Sequence, residues 1–308
     1  MSQKFVTFPN KGRENAALLL LPESVDSNRK YPSVISVHPI GSCKEQTSGY
    51  VYGKALAEAG FVVLVIDASF QGESGGEPRF TEDPYERVED IRCAVDYLVT
   101  QPFVDEERIG ILGICGGGGY ALNAAMTERR LKAVVSVTGV NFGRLIREGF
   151  AGGPPIDTLE AISRQRTAEA KGGDIQVNDL LPPSADAARE LGINDIDPIE
   201  AIDYYKTARG RQPNGATKAL FSRLGAAVGW DAFFLAETLL TQPILVVVGD
   251  KPGAFGAYRD GHDIVRQAAS KKKELLVLKN VSHYDLYDQP GAVRPALAKV
   301  VPFFRDHL

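Results

Sequence analysis

The sequence contains few cysteines and no long apolar run, and both absences exclude classes of protein. Only three of its 308 residues are cysteine, so we expect no disulfide framework and favour a reducing compartment. Its longest apolar runs, such as residues 16–21, are far too short to cross a bilayer. The first residues enter a strand-like segment directly, without the pattern of a signal peptide. We therefore expect a cytoplasmic protein.

The sequence also lacks an excess of charge of either sign. The net charge is −4 and the isoelectric point about 5.7, with charged residues at 24% and hydrophobic residues at 44%. These values are typical of a soluble globular protein and favour neither nucleic acid nor a membrane as a partner. The four histidines and three cysteines do not approach the spacing of a metal site. We expect no metal, no cofactor and a small-molecule substrate, and a homodimer is left open.

Short apolar segments alternate with helical patterns along most of the chain. Segments rich in β-branched residues suit strands that are buried on both faces of a parallel sheet. They occupy residues 34–37, 61–66, 109–112, 133–137, 244–248 and 274–278. Helical spacing occurs at residues 49–59, 86–100 and 292–308, and residues 4–8 and 16–21 form a hairpin-like entry. The alternation predicts an α/β fold with a mostly parallel, doubly wound sheet.

Residues 141–242 interrupt this alternation. They are helical in pattern, contain no clear strand and include loops rich in proline and glycine. An insertion of this length between two core strands is typical of a cap over an active site. We predict a core of residues 1–140 and 243–308 with a helical cap at residues 141–242. A peripheral packing or dimerisation element is the alternative.

The most informative motif is the run from Gly113 to Gly117, which has Cys115 at its centre. It joins a predicted strand to a predicted helix, which is the pattern of a nucleophile elbow. Gly113 and Gly117 fit this turn because positions two before and two after the nucleophile leave almost no space for a side chain. The nucleophile is then the thiol of Cys115, which attacks as its thiolate.

Two other interpretations of this motif stay open. A glycine-rich turn between a strand and a helix can bind phosphate, but the spacing here lacks the second glycine of a dinucleotide fingerprint. The lysine of a P-loop is also absent, because Tyr120 stands near its place. A lone cysteine at a strand end can also be a small buried apolar residue.

A thiol nucleophile needs a base and a group that orients the base. His283 follows the last predicted strand, at the sheet edge where the elbow also opens, so we predict that it is the base. Asp250 follows the preceding strand and is the predicted orienting carboxylate, with Asp260 as the alternative. Asp285 is expected to shape the loop of His283 instead.

Acyl transfer also needs hydrogen-bond donors for the oxyanion. The N–H of Gly116, next to the nucleophile, is one predicted donor. The second is expected in the loop after the first central strand, where Pro39 has no N–H and Ile40 is therefore the candidate. His38 is expected to shape this loop, with a second catalytic role as the alternative.

Taken together, these motifs are similar to those of a known family. The chain resembles the α/β-hydrolase superfamily over nearly its whole length and, within it, the dienelactone-hydrolase-like branch. The resemblance rests on the elbow at residues 113–117, the His38-Pro39 loop, the turn at residues 67–78 and the segment at residues 282–288. Dienelactone hydrolases use a Cys, Asp and His triad, which the resemblance places at Cys115, Asp250 and His283.

The inserted cap departs from this resemblance. Dienelactone hydrolases lack a helical insertion of this size, so their cyclic lactone substrate is not carried over. Such insertions are similar to those of poorly characterised bacterial hydrolases and fungal polyketide thiohydrolases. Five aromatic residues of the cap are candidates for a substrate pocket or for the cap's own core: Tyr204, Tyr205, Trp230, Phe233 and Phe234.

The sequence therefore predicts a hydrolase that cleaves an ester, lactone or thioester through an acyl-enzyme on Cys115. An acyltransferase or a peptidase on the same triad is one alternative. A ligand-binding protein that keeps the scaffold without the chemistry is another.

Overall fold

The computed structural model of the protein describes residues 1–23, 25–26, 28–150 and 153–308. Its strands are β1 Ser2–Asn10, β2 Arg13–Leu21, β3 Tyr31–Val37, β4 Val62–Ile66, β5 Val104–Ile114, β6 Leu131–Val137, β7 Val177–Asp179, β8 Lys218–Leu220, β9 Ile244–Gly249 and β10 Lys273–Leu278. The strands that the sequence predicts in the core are confirmed. In β3, β4, β5, β6 and β9 the β-branched and leucine side chains are buried on both faces of the sheet, whereas those of the edge strand β10 are half-buried.

The helices lie mostly in the connections between these strands. They are α1 Lys54–Glu58, α2 Pro84–Val99, α3 Gly116–Thr127, α4 Phe142–Leu145, α5 Pro155–Ala170, α6 Ala185–Glu190, α7 Ile196–Lys206, α8 Gly225–Val228, α9 Ala236–Leu239, α10 Ala257–Gln267, α11 Asp285–Asp288 and α12 Pro290–His307. Wider or tighter helical turns occupy Thr47–Gly53, Ile146–Phe150 and Phe221–Arg223. At the start of α2, the Asp83 side chain accepts a hydrogen bond from Tyr85 N, as expected of an N-cap before a proline.

The main sheet has eight strands in the order β1-β2-β4-β3-β5-β6-β9-β10. The hairpin of β1 and β2 is antiparallel, and the six strands from β4 to β10 in this order are mutually parallel. The order reverses direction at β3, so helices cover both faces, and the predicted doubly wound α/β-hydrolase fold is confirmed. The carboxyl ends of the parallel strands meet at one edge, which is where the candidate site lies.

The segment between β6 and β9 contains α4 to α9, as the helical pattern predicts, but it also contains strands. β7 and β8 pair antiparallel in a separate sheet, with Val177 opposite Leu220. The expectation of no strand there was wrong because each strand is only three residues long and its polar residues give no period of two. This segment is anchored to the core where Thr217 N donates to Gly41 O at 2.9 Å.

The sequence predicts that no apolar segment is long enough to cross a bilayer. Across the residues that are described, no helix has both the length and the apolar character of a membrane span. The division of the chain at residues 140 and 243 into a core and a cap stays a prediction.

Candidate active site

Cys115 lies at a sharp turn between β5 and α3. Its backbone has φ 54° and ψ −126°, a combination that is rare for any residue with a side chain. A Cβ atom at Gly113 would lie 2.1 Å from Gly117 O, and one at Gly117 would lie 2.5 Å from Val37 O. Both glycines are therefore required by close backbone contacts, which is the geometry of a nucleophile elbow.

The backbone N–H groups of Gly116 and Ile40 point towards the thiol of Cys115. Each of them lowers the pKa of the thiol, although burial has the largest effect and raises that pKa to about 11. Gly116 lies close to Ile40, and a Cβ atom there would lie 2.5 Å from the Ile40 side chain, which would have to move. The two predicted oxyanion donors thus converge on one point beside Cys115.

His283 lies in the loop after β10 and is buried. Its Nδ1 is 2.9 Å from the hydroxyl of Thr138, and its Nε2 has no hydrogen-bond partner among the described residues. The ring packs against Phe255, with the ring centroids 5.7 Å apart, and against Tyr287, with the centroids 5.5 Å apart. Burial lowers the pKa of His283 to about 3, so the ring is neutral at pH 7.

The two predicted acid residues have other partners in this structure. Asp250 is exposed, and its carboxylate accepts a hydrogen bond from Asn280 N at 2.6 Å. Asp260 is buried and pairs with Arg144, with both carboxylate oxygens 2.8 Å from guanidinium nitrogens. Among the described contacts, no carboxylate forms an ion pair or hydrogen bond with His283. Thr138 takes the position beside Nδ1.

The loops that carry these residues are held by the expected neighbours. Asp285 accepts from Ser282 N at 2.9 Å and so shapes the loop of His283. His38 accepts from Ala68 N at 3.0 Å through Nε2 and is buried, which fits its expected role in shaping the loop before Ile40.

Two tyrosines next to Cys115 were not assigned to the catalytic machinery by the sequence. The hydroxyl of Tyr287 lies close enough to the thiol to affect its pKa, and Tyr205, on α7 of the inserted segment, lines the same cavity as Cys115. Both hydroxyls are buried and make no hydrogen bond of standard geometry with the described residues. Buried polar atoms without partners are rare and are often satisfied by water or a ligand. The sequence signal for Tyr287 was its place one helical turn after His283.

A buried carboxyl group also faces this region from the cap. Asp197, in the first turn of α7, is 1% exposed and accepts a hydrogen bond from Phe255 N at 2.8 Å. Its other oxygen, Oδ1, has no partner among the described residues. Burial, together with the negative charges of Asp195 and Glu200, raises the pKa of Asp197 to about 7.

A narrow cavity of about 40 Å³ adjoins Cys115. Its lining is mainly apolar: Ile40, Leu145, Phe150, Leu180, Leu181, Tyr205, Thr217, Phe255, Tyr284 and Tyr287. A wider groove of about 350 Å³ shares Leu145, Phe150, Leu180, Leu181 and Phe255 with it. The shared residues indicate one apolar path from the groove towards the thiol.

The aromatic residues of the inserted segment lie in different places relative to Cys115. Tyr205 lines the cavity at Cys115, and Trp230 packs on Tyr120 with the ring centroids 5.3 Å apart. Phe234 is 70% exposed and does not line that cavity. Tyr204 packs against Tyr205 and Tyr287. Of the candidates for the pocket wall, Tyr205 is the one that the structure brings to Cys115.

In the described part of the chain, no group of three or more His, Cys, Asp or Glu residues is placed to hold a metal ion. Around Cys115 the structure places an imidazole, hydroxyl groups and backbone N–H donors.

The sequence and the fold are similar to those of known proteins. Residues 16–170 match the dienelactone hydrolase family. The chain belongs to this family. The predicted resemblance is thus confirmed, as is the predicted class of enzyme, a hydrolase of the dienelactone-hydrolase type.

Three relatives illustrate the range of the similarity. The uncharacterised protein YcjY of Escherichia coli is 38% identical over 316 aligned positions, which cover 100% of both chains. The crystal structure of the hypothetical protein PA2218 from Pseudomonas aeruginosa has a TM-score of 0.88 and 32% identity, covering 100% of this chain and 94% of that one. Thiohydrolase aneE of Aspergillus aculeatus is 31% identical, covering 71% of this chain and 69% of aneE.

Proposed function

We propose that this protein cleaves a carboxylic ester, lactone or thioester of an apolar acyl group by forming an acyl-enzyme on Cys115. The observation that carries the proposal is the position of Cys115: a strained elbow with the N–H groups of Gly116 and Ile40 directed at one point beside the thiol. Donors fixed at that point can stabilise the oxyanion of a tetrahedral intermediate. The relative aneE, which carries the name thiohydrolase, supports the choice of an ester-like bond.

In the resting site both reacting groups are uncharged. Burial raises the pKa of Cys115 to about 11 and lowers that of His283 to about 3, so thiol and imidazole coexist at neutral pH. The thiol must therefore lose its proton as it attacks, and His283 Nε2, buried and without a partner, is the acceptor. The bond from Sγ to the carbonyl carbon forms, and the proton moves from the thiol to Nε2.

The thiol itself lies beside the donors that would hold the oxyanion. We propose that a substrate carbonyl oxygen replaces it there and that the thiol turns towards His283 as the substrate enters. His283 then gives its proton to the leaving oxygen or sulfur. In the second half of the reaction, water gives a proton to Nε2, its oxygen attacks the thioester, and the thiol recovers the proton as the acid leaves.

The sequence predicts Asp250 as the acid of the triad, but among the described contacts its carboxylate does not reach His283. In this structure its carboxylate joins the loop after β9 to the loop of His283 through Asn280 N. The neighbouring backbone bonds, from Asp250 N to Leu278 O and from Lys251 N to Val281 O, join the same two loops. These contacts support at least an indirect effect of Asp250 on the position of His283.

The path to Cys115 supports an apolar acyl group as the part of the substrate that the protein recognises. The path is lined by leucine, isoleucine and phenylalanine side chains from both the cap and the core. Each buried methylene of an acyl chain contributes about 0.8 kcal/mol to binding in such a site. We therefore propose that longer acyl chains bind more tightly than acetyl groups.

An acyltransferase is the second candidate. The cavity at Cys115 is small and mainly apolar, which limits the access of water to an acyl-enzyme. A relative from Penicillium crustosum named polyketide transferase claH is 28% identical, covering 63% of each chain. An acyl-enzyme that persists in water but transfers its acyl group to an added alcohol or thiol would favour this candidate over hydrolysis.

The test is to incubate the protein with p-nitrophenyl esters from acetate to octanoate and to measure released p-nitrophenol and intact mass. We expect a burst and an acyl adduct in the wild type and neither in Cys115→Ala. Cys93→Ala is the matched control, because Cys93 is a half-buried free thiol on α2, away from the elbow, and its loss should change nothing. The proposal is wrong if Cys115→Ala keeps full esterase activity.

A further inference from the structure

The partner of His283 is a neutral hydroxyl group. Thr138 directly follows β6, and its side chain is buried at 1% exposure with Oγ1 2.9 Å from His283 Nδ1. Among the described residues, this hydroxyl is the one side-chain group in hydrogen-bond contact with the ring. In most cysteine and serine hydrolases that use a triad, this position beside Nδ1 belongs to a carboxylate.

The backbone of Thr138 is strained in a way that aims this side chain. Its φ is 44°, and a positive φ is a genuine outlier for a β-branched residue. The strain is held by a hydrogen bond of 2.7 Å from Thr138 N to Val247 O, on the neighbouring strand β9. Strain of this kind persists where surrounding contacts determine the conformation.

The same short loop also contacts the backbone of the nucleophile. Cys115 N donates to Val137 O at 3.1 Å, and Val140 N donates to Cys115 O at 2.9 Å. Residues 137–140 therefore hold the elbow from both sides of Cys115 while Thr138 contacts the base. One loop fixes the distance and angle between the two groups that exchange the proton.

We propose that the hydroxyl of Thr138, in place of a carboxylate, holds the ring of His283 for catalysis, so that the resting pair of Cys115 and His283 is uncharged. Thr138 is then a positioning residue. The inference rests on the proposed function of Cys115 and His283 and specifies how that pair works. Nδ1–H donates to Oγ1, which leaves the lone pair of Nε2 free to take the thiol proton.

Other ionisable groups around the pair are consistent with this neutral state. Tyr205, Tyr284 and Tyr287 pack beside His283 or Cys115, and burial raises the pKa of each hydroxyl well above its ordinary value. Asp197 faces the site from α7 and bonds Phe255 N. Glu200, also on α7, accepts from the Ser282 hydroxyl at 2.5 Å.

A neutral pair behaves differently from a thiolate–imidazolium pair as the pH changes. A thiol without a counter-ion reacts with alkylating agents through its small ionised fraction, so the rate rises about tenfold per pH unit up to its pKa. A thiolate paired with imidazolium reaches a plateau at a lower pH. The pH dependence of alkylation therefore reports the charge state of the pair without requiring turnover.

The experiment compares Thr138→Val, Thr138→Ser and Thr138→Asp with the wild type and with Asp250→Asn. The rate of carbamidomethylation of Cys115 by iodoacetamide is measured from pH 5 to 9.5 by intact mass, and the rate of acylation is measured with p-nitrophenyl butyrate. The Nδ1 proton of His283 is followed by NMR. Aspartate tolerates a positive φ better than threonine, so Thr138→Asp can place a carboxylate where the hydroxyl lies.

We expect the wild type to show no alkylation plateau up to pH 9.5 and Thr138→Asp to show one, with a rate at pH 6 at least tenfold higher. Thr138→Val should lower the acylation rate about tenfold at unchanged KM and lose the Nδ1 proton signal, because a neutral hydrogen bond has been removed. Thr138→Ser keeps a hydroxyl group and should therefore keep both the acylation rate and the Nδ1 proton signal. If the effect of Thr138→Val came only from relieved strain or from misfolding, the hydroxyl of serine would not prevent it.

The inference is overturned if Thr138→Val keeps the wild-type acylation rate and Nδ1 signal. It is equally overturned if the wild type already has an alkylation plateau near neutral pH that Asp250→Asn removes, because Asp250 would then be the partner of His283. A wild type that is alkylated but never acylated would contradict the proposed function. In that case the alkylation profiles and the Nδ1 signal still decide the role of Thr138.

Discussion

Replacing Asp197 by asparagine should make the stability of the protein less dependent on pH. The carboxyl group of Asp197 is buried between α7 and the loop after β9, where one oxygen accepts from Phe255 N and the other has no partner. Gly253 packs so closely on it that a Cβ atom there would lie 2.3 Å from the carboxyl carbon. Asparagine keeps the shape and the acceptor but cannot ionise.

The size of the effect follows from the pKa of Asp197. Burial raises this pKa from 3.8 to about 7, so the folded state binds the proton more tightly than the unfolded state. The stabilisation by the protonated carboxyl is complete below the unfolded pKa and is lost as the pH rises through the folded pKa. At about 1.4 kcal/mol per unit of pKa, the loss between pH 4 and 8 amounts to about 4 kcal/mol.

The assay is urea unfolding of the wild type and Asp197→Asn at several pH values between 4 and 8. We expect the free energy of unfolding of Asp197→Asn, relative to the wild type, to rise by about 4 kcal/mol across this range. Asp186→Asn is the control, because Asp186 lies on α6 of the same inserted segment with its side chain 89% exposed. A difference between Asp197→Asn and the wild type that stays constant with pH would refute the reasoning.

Two further substitutions test the oxyanion donors and the apolar path. Ile40→Pro removes the N–H group beside Cys115 and should lower kcat about 10²–10³-fold. Ile40→Val keeps that group, and its kcat should stay near that of the wild type. Equal kcat values for the two variants would exclude Ile40 N as an oxyanion donor. Leu181→Trp fills the path between the groove and the cavity and should raise KM for octanoate esters more than for acetate esters. The same change in KM for every chain length would contradict the proposed path.

The core and the elbow could be predicted because their signals are local. Each buried strand of the parallel sheet is a short run of β-branched residues, and a helix lies between it and the next parallel strand. Gly113 is required by Gly117 O within the turn itself, and Gly117 by Val37 O on the neighbouring strand, and the spacing of the two glycines around Cys115 is the known pattern of such a turn. The same holds for Ile40, whose candidacy followed from the missing N–H of Pro39.

The partner of His283 could not be predicted in the same way. Asp250 and Thr138 each follow a parallel strand, and both strands end at the same edge of the sheet. Which of them contacts Nδ1 depends on the direction of a side chain, and at Thr138 that direction is set by φ 44° and by a hydrogen bond to Val247 O. A carboxylate is the residue type expected as the partner of Nδ1, so the sequence pointed to Asp250 and not to the hydroxyl of Thr138.

The inserted segment was the hardest part to predict because its contacts are tertiary. Tyr205 and Asp197 lie on the same short helix, α7, yet one lines the cavity at Cys115 and the other is buried against the loop that contains Phe255. Both roles depend on how α7 docks on the core, and helical periodicity carries no information on docking. Phe255 lies between Asp197 and the predicted base, because its backbone N donates to Asp197 and its ring packs against the ring of His283. We therefore expect Asp197→Asn to change the pH dependence of acylation as well as that of stability, and an unchanged pH profile of acylation would show that this contact does not couple the two.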